Sequence, residues 1–459
     1  MNSRERSWGV TPVPERLRTL SGLDAGLLWG NLGISLLVVV DGSFLVPALG
    51  LKDALLAILV GAVLGNALLG LAGLIGADRR VPGMVLMRDP LGQRGSYAPT
   101  VLNVAQNLGW ATFELIVIST AAAALAERAF GFGATALWVV AAGALTLLLA
   151  LAGPISFVRR YVRRFAVWIV LASTVYLTWW ALTGADLVEL WDRPGEGGLS
   201  FWQGVDLTIA MSASWLPLAA DYTRFARSRR GAFWGTAAGY LVPHVWLYAL
   251  GALLLLSRDF NDPAGLAPAV AAGGLASGLA LLALTVGETD ESFANVYSAA
   301  VSLQNLVPAA PQRLLIVLAA ATATAGALAI DLVQYEPFLF LLGSFFVPLF
   351  GVLAADFLVG AAPRTAVRLS GLTAWMLGFA AYQWIQPTAP EAWTSFAAGA
   401  PAAGSLAVGA SLPAFAVSFA TYAALRSFPS SRITSTRRST SSSSVRQFTI
   451  AGRKATRPS

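Results

Sequence analysis

Residues 102–125 read LNVAQNLGWATFELIVISTAAAAL. The run is apolar and long enough to cross a bilayer, which takes about 20 residues. It carries one carboxylate, Glu114, near its middle. A charge at that depth costs about 2.5–3.5 kcal/mol on insertion scales, so it marks a functional site by default. Trp110 and Glu114 stand four residues apart and share one helix face, and Gln106 extends that face by a turn. A flat aromatic surface beside a carboxylate suits a flat, polar, nitrogen-bearing ring. The bland alternative for Glu114 is an interhelical hydrogen bond or ion pair with no ligand.

Composition agrees with a chain built of such runs. Of 459 residues, 56% are hydrophobic and 12% charged, against about 25% charged in a soluble domain. The expectation is an all-α polytopic membrane protein. With no Cys there are no disulfides, thiol catalysis or thiolate metal sites. A single His, His244, argues against a buried transition-metal site.

The net charge of +7 follows from topology rather than from a nucleic-acid partner. One set of loops holds Arg4, Arg6, Arg16 and Arg18, then Arg79, Arg80, Arg88 and Arg94, then Arg159, Arg160, Arg163 and Arg164. Arg224, Arg227, Arg229, Arg230, Arg313, Arg364 and Arg368 belong to the same side. The opposite loops hold Lys52, Arg128, Arg193 and Arg258. The positive-inside rule then places both termini in the cytoplasm of a multi-pass cell-membrane protein. Residues 1–24 are polar and basic and lack a signal-peptide core, so the first span is expected to serve for targeting.

About twelve spans are predicted. They run near 27–50, 53–77, 98–126, 134–153, 161–183, 203–223, 233–256, 273–306, 313–331, 337–360, 367–386 and 404–426. Ser21 and Asp24 are candidate caps before the first. A Gly/Pro-rich loop at 186–200 separates spans one to five from six to ten. Residues 427–459, rich in Ser, Thr and Arg, read as a disordered basic cytoplasmic tail.

Two spans look interrupted. The first holds Gly30, Gly33, Gly42, Ser43 and Pro47, and the sixth holds Ser212, Ser214 and Pro217. Interrupted spans at corresponding positions of two repeats point to a transporter binding site; ordinary Gly/Pro kinks are the alternative. The eighth span reads LTVGETDESFANVYSAAVSL, with Thr285, Glu288, Ser292 and Asn295 on one face and Thr289, Asp290 and Glu291 crowding the same turn. So many oxygens within an apolar element suit a hard cation or a proton relay. Hydrated acids at the membrane edge are the alternative.

Other polar residues carry less. Asp221 and Arg224 read as an ion pair at the end of span six, and His244 as a packing or hydrogen-bonding residue. Asp41 either gates or senses a cation or sits near the outer surface. Trp168, Trp179, Trp180, Trp375 and Trp384 read as interfacial anchors or packing.

The segments RDPLGQRGSYAP, QNLGWATFE, WLPLAADYTRFAR and NVYSAAVSLQN resemble the nucleobase–cation symporter family, its cytosine- and purine-permease branches above all. The likeness runs to about residue 426. It implies a leucine-transporter-like fold: a cytoplasmic segment 1–26, a first five-helix repeat over 27–200, an inverted second repeat over 201–362 and two further helices over 363–426. It implies that the substrate stacks between aromatics of spans three and six and hydrogen-bonds to spans three and eight. The implied substrate residues are Trp110, Glu114 and Asn295, with Trp215 or Ser212 at the span-six position depending on how the motif is counted. Gln106 and Ser214 complete the candidate set. A sodium site, where members have one, implies Gly33 and Leu36 with Thr289 and Ser292. Here span eight is acidic, which leaves H⁺ open and makes Glu288, Asp290 and Glu291 coupling candidates.

The expected function is a secondary active symporter importing a nucleobase or similar heteroaromatic with Na⁺ or H⁺, with no other cofactor. Ionised Glu114 accepts hydrogen bonds only. It favours a ligand edge of donors, as in cytosine, guanine or an aminopyrimidine, over uracil's two carbonyls. An amino-acid or amine symporter of the same fold is a second reading, but Glu114 would repel a substrate carboxylate. Hydantoins, allantoin and thiamine-precursor pyrimidines stay open by family analogy. A membrane enzyme or channel finds no nucleophile motif, metal cluster or repeated pore ring.

Overall fold

A computed structural model of the chain describes residues 10–152, 167–183, 186–258, 265–332, 335–360, 365–388, 394–396 and 408–427. The predicted tail from residue 428 and the basic group at 159–164 lie outside the described residues, as does the side chain of Asp290.

The first span is two helices. A capping box between Ser21 and Asp24 starts α1 (Gly22–Leu32), and Ser35 caps α2 (Leu36–Ser43) by accepting from the N–H groups of Leu37 and Val38. The halves meet at 59°. The break therefore falls at residues 33–35. Gly42 and Ser43, predicted as part of the interruption, remain helical. Gly42 serves close packing instead: a Cβ there would stand 2.0 Å from the main-chain oxygen of Tyr248. Asp41 is fully buried within the protein.

The remaining helices follow in order. They are α3 (Leu51–Arg79), α4 (Gly83–Leu86), α5 (Arg88–Leu91), α6 (Tyr97–Phe130), α7 (Thr135–Ala152), α8 (Val167–Thr183), α9 (Leu187–Asp192), α10 (Phe201–Ser214), α11 (Leu216–Thr223), α12 (Arg229–Ser257), α13 (Leu266–Ala272), α14 (Leu275–Leu306), α15 (Gln312–Ala327), α16 (Tyr335–Val359), α17 (Leu369–Ile385) and α18 (Ser411–Ser427). By length and composition α3, α6, α7, α12 and α16 are apolar enough to cross a membrane, and α1 with α2 makes a sixth crossing as a bent pair. Among the described residues each predicted span holds a helix or a broken pair; residues 161–166 of span five and 404–407 of span twelve lie outside them.

The sixth span breaks at Trp215, between α10 and α11, with Pro217 in the first turn of α11. Proline suits that place because its missing N–H has no partner in a first turn. The loop at 186–200 carries α9 and folds back on span one, where the N–H groups of Glu196 and Gly197 donate to Pro47 and Ala48 at 2.9 and 3.0 Å.

The longest packing seams run between α6 and α14, α3 and α12, and α1 and α12; α17 and α18 gather around α16. The α6–α14 seam carries the predicted polar residues of spans three and eight, so the two faces meet inside the bundle. Asp221 accepts from the N–H of Gly83 at 2.9 Å, tying α11 to α4, and the Arg224 Nε donates to the main-chain oxygen of Asp221 at 3.2 Å. Trp168, Trp179 and Trp384 are exposed, whereas Trp375 is buried and donates to the Phe345 carbonyl at 2.9 Å.

Candidate functional site

The face of α6 that carries Trp110 and Glu114 is turned inward. Glu114 is fully buried and its Oε1 accepts from Asn295 Nδ2 of α14 at 2.7 Å. Its Oε2 has no partner among the described residues. Trp110 is 5% exposed and its Nε1 is unpartnered among the described residues. Gln106 donates to Asn103 at 2.7 Å and to the Ser214 carbonyl at 3.0 Å, while its Oε1 is unpartnered. Span three is thus tied to the break in span six through a carbonyl near the end of α10. Backbone groups released from a helix at membrane depth need such partners.

Asn107 was not singled out in the sequence. It is fully buried, and neither its amide nitrogen nor its oxygen has a partner among the described residues. Its spacing from Trp110 and Glu114, three and seven residues, puts all three on one face. That spacing was the available signal, but an asparagine beside a glutamine reads as helix polarity unless its neighbours are known.

Trp215 donates from Nε1 to the Tyr240 hydroxyl at 2.9 Å and meets Trp29 edge-on at 5.7 Å. Trp110 meets Tyr335 and Phe338 of α16 edge-on at 5.5 and 5.6 Å. Each indole is therefore held by its own aromatic set, and no ring contact joins the two among the described residues. Ser212 does not share the Trp110 set: its hydroxyl lies 3.3 Å from His244 Nδ1, which Asn66 also approaches at 3.1 Å. The Ser214 hydroxyl donates to the Met211 carbonyl at 2.7 Å.

The acidic turn of α14 reaches the break in span one. Glu288 is fully buried; its Oε1 accepts from the Ser35 hydroxyl at 2.8 Å and its Oε2 from the Leu36 N–H at 2.7 Å. The Leu37 N–H adds a longer contact of 3.4 Å to Oε1. A carboxylate at a helix start meets both free N–H groups and the positive end of the helix dipole. Thr289 donates to the Val286 carbonyl at 2.7 Å, and Ser292 pairs with Thr146 at 2.7 Å. Gly33 and Leu36 flank the same break. Glu291 is buried. Among the described residues no cluster of three His, Cys, Asp or Glu is placed to hold a metal ion.

Glu288 and Asn295, the partner of Glu114, stand seven residues apart on α14 and so share one face of that helix, about two turns from one another. The site therefore has two carboxylates, one bonded to Asn295 beside Trp110 and one bonded to the start of α2.

A model of the family described as permease for cytosine/purines, uracil, thiamine, allantoin matches residues 12–424. Among solved structures, Mhp1, a nucleobase-cation-symport-1 family transporter in a closed conformation with bromovinylhydantoin bound, is 20% identical; the match covers 93% of this chain and 94% of that one at a TM-score of 0.70. The inward-facing conformation of Mhp1 matches at 18% identity and TM-score 0.69, covering 93% and 92%. A Na⁺-coupled sialic acid symporter matches at 12% and 0.60, covering 89% and 90%. No curated protein matches the chain. These likenesses show the fold: an all-helical, leucine-transporter-like arrangement of about twelve spans, with two inverted five-helix repeats and two further helices.

Proposed function

The chain belongs to the nucleobase–cation symporter family, the permeases for cytosine/purines, uracil, thiamine and allantoin, and from that premise we propose that its substrate ring lies against Trp110 and Trp215 and is chosen by Glu114, Asn107, Gln106 and Asn295. The protein is a transporter, not an enzyme, and works as a cation-coupled symporter of nucleobase-like compounds by alternating access.

One observation carries the site reading. Glu114 Oε2, Gln106 Oε1, both amide atoms of Asn107 and Trp110 Nε1 are all buried on α6 without partners among the described residues. Each unmade hydrogen bond of this kind costs about 1–3 kcal/mol. A ligand with matching donors and acceptors recovers that cost. The set supplies three acceptors and two donors, and ionised Glu114 only accepts. An edge with an exocyclic amine beside a ring N–H fits it best, which favours guanine, or cytosine or an aminopyrimidine protonated at the ring nitrogen, over uracil; the amine of neutral cytosine supplies one donor of that edge. Stacking contributes about 1–3 kcal/mol per base without choosing among bases; a base that leaves the polar groups unpaired is rejected by them.

The coupling cation, Na⁺ or H⁺, acts at the junction of α2 and α14 with Glu288 at its centre. A positive charge there relieves repulsion between Glu288 and Glu114. The H⁺ reading draws on Glu288 itself, a buried carboxylate at the junction that can carry the proton; the Thr289 hydroxyl, which donates to a carbonyl, keeps its lone pairs for Na⁺. The Na⁺ reading draws on Gly33 and Leu36 lying at the same junction. The basic loops and the span order support a cell-membrane protein with cytoplasmic termini, repeats over 27–200 and 201–362, and added helices over 363–426.

The test is a tryptophan-fluorescence titration of purified protein with cytosine, uracil, adenine, guanine and allantoin, with and without Na⁺ and at two pH values. Saturable quenching by an amino-substituted base, strengthened by Na⁺ or by acid, is expected and identifies the ion. No response to any base would overturn the reading.

A further inference from the structure

Asp41 has no role in the site just described, yet it joins three helices around it. It lies on α2 and is fully buried. Its Oδ2 accepts from two hydroxyls, Tyr248 of α12 at 3.1 Å and Tyr335 of α16 at 3.2 Å. Its Oδ1 has no partner among the described residues. The two tyrosines are not equivalent. Tyr248 belongs to a helix that meets α2 backbone against backbone: a Cβ on Gly42 would stand 2.0 Å from the Tyr248 carbonyl oxygen, and one on Gly251 would stand 1.8 Å from that of Val39. Helices in such contact move together.

Tyr335 is the first residue of α16, which packs chiefly on α18, α10 and α17 and touches α2 and α6 lightly. Its ring centroid nevertheless lies 5.5 Å from that of Trp110 and 5.2 Å from that of Phe113. Further along α16, Pro348 interrupts the helix interior. A proline there removes a backbone hydrogen bond and lets the two halves of a helix change angle. The first half of α16 can therefore swing as a flap. The hydrogen bond from Tyr335 is the polar tie that holds it to α2.

We propose that Asp41 is a positioning residue whose hydrogen bond from Tyr335 holds the start of α16 closed over Trp110, so that this bond is made when the substrate is enclosed and broken when it enters or leaves. The inference rests on the placement of substrate against Trp110, but its test does not need a substrate.

The chain has no Cys, so a single Leu339→Cys on α16 gives one thiol, at a position fully buried here. Its rate of reaction with a membrane-impermeant thiol reagent reports opening. Tyr335→Phe removes the tie and keeps the ring; Tyr248→Phe removes the other hydroxyl from the same oxygen and leaves α16 untouched. Tyr335→Phe is expected to raise the labelling rate about tenfold, the size of one hydrogen bond to a charged group, and Tyr248→Phe to leave it within about twofold. Equal rates in the two variants, or no change in Tyr335→Phe, would overturn the proposal, since a purely structural buried carboxylate loses one donor in either case. If Tyr335→Phe does not reach the membrane, Asp41→Asn, which keeps the side-chain volume and both tyrosines, is scored by the same rate. Release of bound tritiated cytosine gives a second readout: Tyr335→Phe should speed dissociation. A wild-type protein that binds no base while Tyr335→Phe still opens α16 would refute the substrate reading and leave the tie standing.

Discussion

Replacing Glu114 by glutamine separates recognition from packing. Glu114 Oε1 accepts from Asn295 at 2.7 Å, and the carbonyl oxygen of a glutamine can accept in the same place. What changes is the other end. Oε2, buried and without a partner, becomes an NH₂ that donates. A substrate that offers a donor there loses a bond to a charged acceptor, worth about 1.5–3 kcal/mol. That is about 10–150-fold in affinity at about 1.4 kcal/mol per tenfold. A substrate that offers a carbonyl gains a bond instead. Glu114→Gln should therefore raise the Kd for cytosine by about 10–150-fold and leave uracil unchanged or improved, so that the preference inverts or collapses. The assay is equilibrium binding of tritiated cytosine and uracil to purified protein, with thermal unfolding to check that the fold is kept. Cytosine affinity unchanged in Glu114→Gln, with uracil also unchanged, would refute the reasoning, because Oε2 would then not face the ligand.

Asn107→Ala removes two neutral hydrogen bonds to the ligand, each worth about 0.5–1.5 kcal/mol, and should weaken binding of every accepted base by about 5–150-fold without changing ion dependence; competition binding measures it. Glu288→Gln should abolish the stimulation of uptake by Na⁺ or by an inward H⁺ gradient while substrate exchange across proteoliposomes persists, and uptake that still follows the ion gradient would remove Glu288 from coupling. Gly42→Ala forces the Tyr248 backbone away from a Cβ built 2.0 Å from its oxygen. Overpacking of this kind costs about 1–3 kcal/mol, so the melting temperature should fall, while Gly197→Ala, which meets nothing within 4 Å, is strained only by its positive φ and should fall less.

The sequence revealed the fold through its apolar runs, and the helices stand where those runs predicted them because a span must satisfy its own backbone. The broken spans were legible from Gly and Pro, and the break in span one falls at residues 33–35, at Gly33 among the residues named, rather than at Gly42 or Pro47. Glycine permits both a break and a close helix contact, and only the neighbour, here Tyr248, decides which. Trp110, Glu114 and Asn295 could be found because their spacing shows one face. Asn107 lay on that face but was hidden among other polar residues until its lack of partners became visible. Glu288 was read as an ion site from its density of oxygens; that it binds the start of α2 is a contact between residues about 250 positions apart, which no local pattern encodes. The same holds for Asp41 and Tyr335.

The two buried carboxylates give coupling a form that can be measured. Glu288 is bonded to α2 and Glu114 to Asn295, two turns along α14 on the same face, so when both are ionised their like charges repel. A low-dielectric site makes that repulsion larger than it would be in water. A cation at Glu288 relieves it and favours the ionised Glu114 that accepts from an amino edge. A substrate whose donors neutralise Glu114 should in turn ease cation binding at Glu288. Linkage makes the two effects one number: the factor by which the ion tightens cytosine must equal the factor by which cytosine tightens the ion. Measuring both by titration in wild type, Glu114→Gln and Asn107→Ala tests whether the charge pair carries the coupling. In Glu114→Gln the factor should fall towards one because the second charge is gone. In Asn107→Ala affinity should fall but the factor should stay, because both charges remain. An undiminished factor in Glu114→Gln would place the coupling in the movement of α2 alone, and Glu114 would then only choose the base.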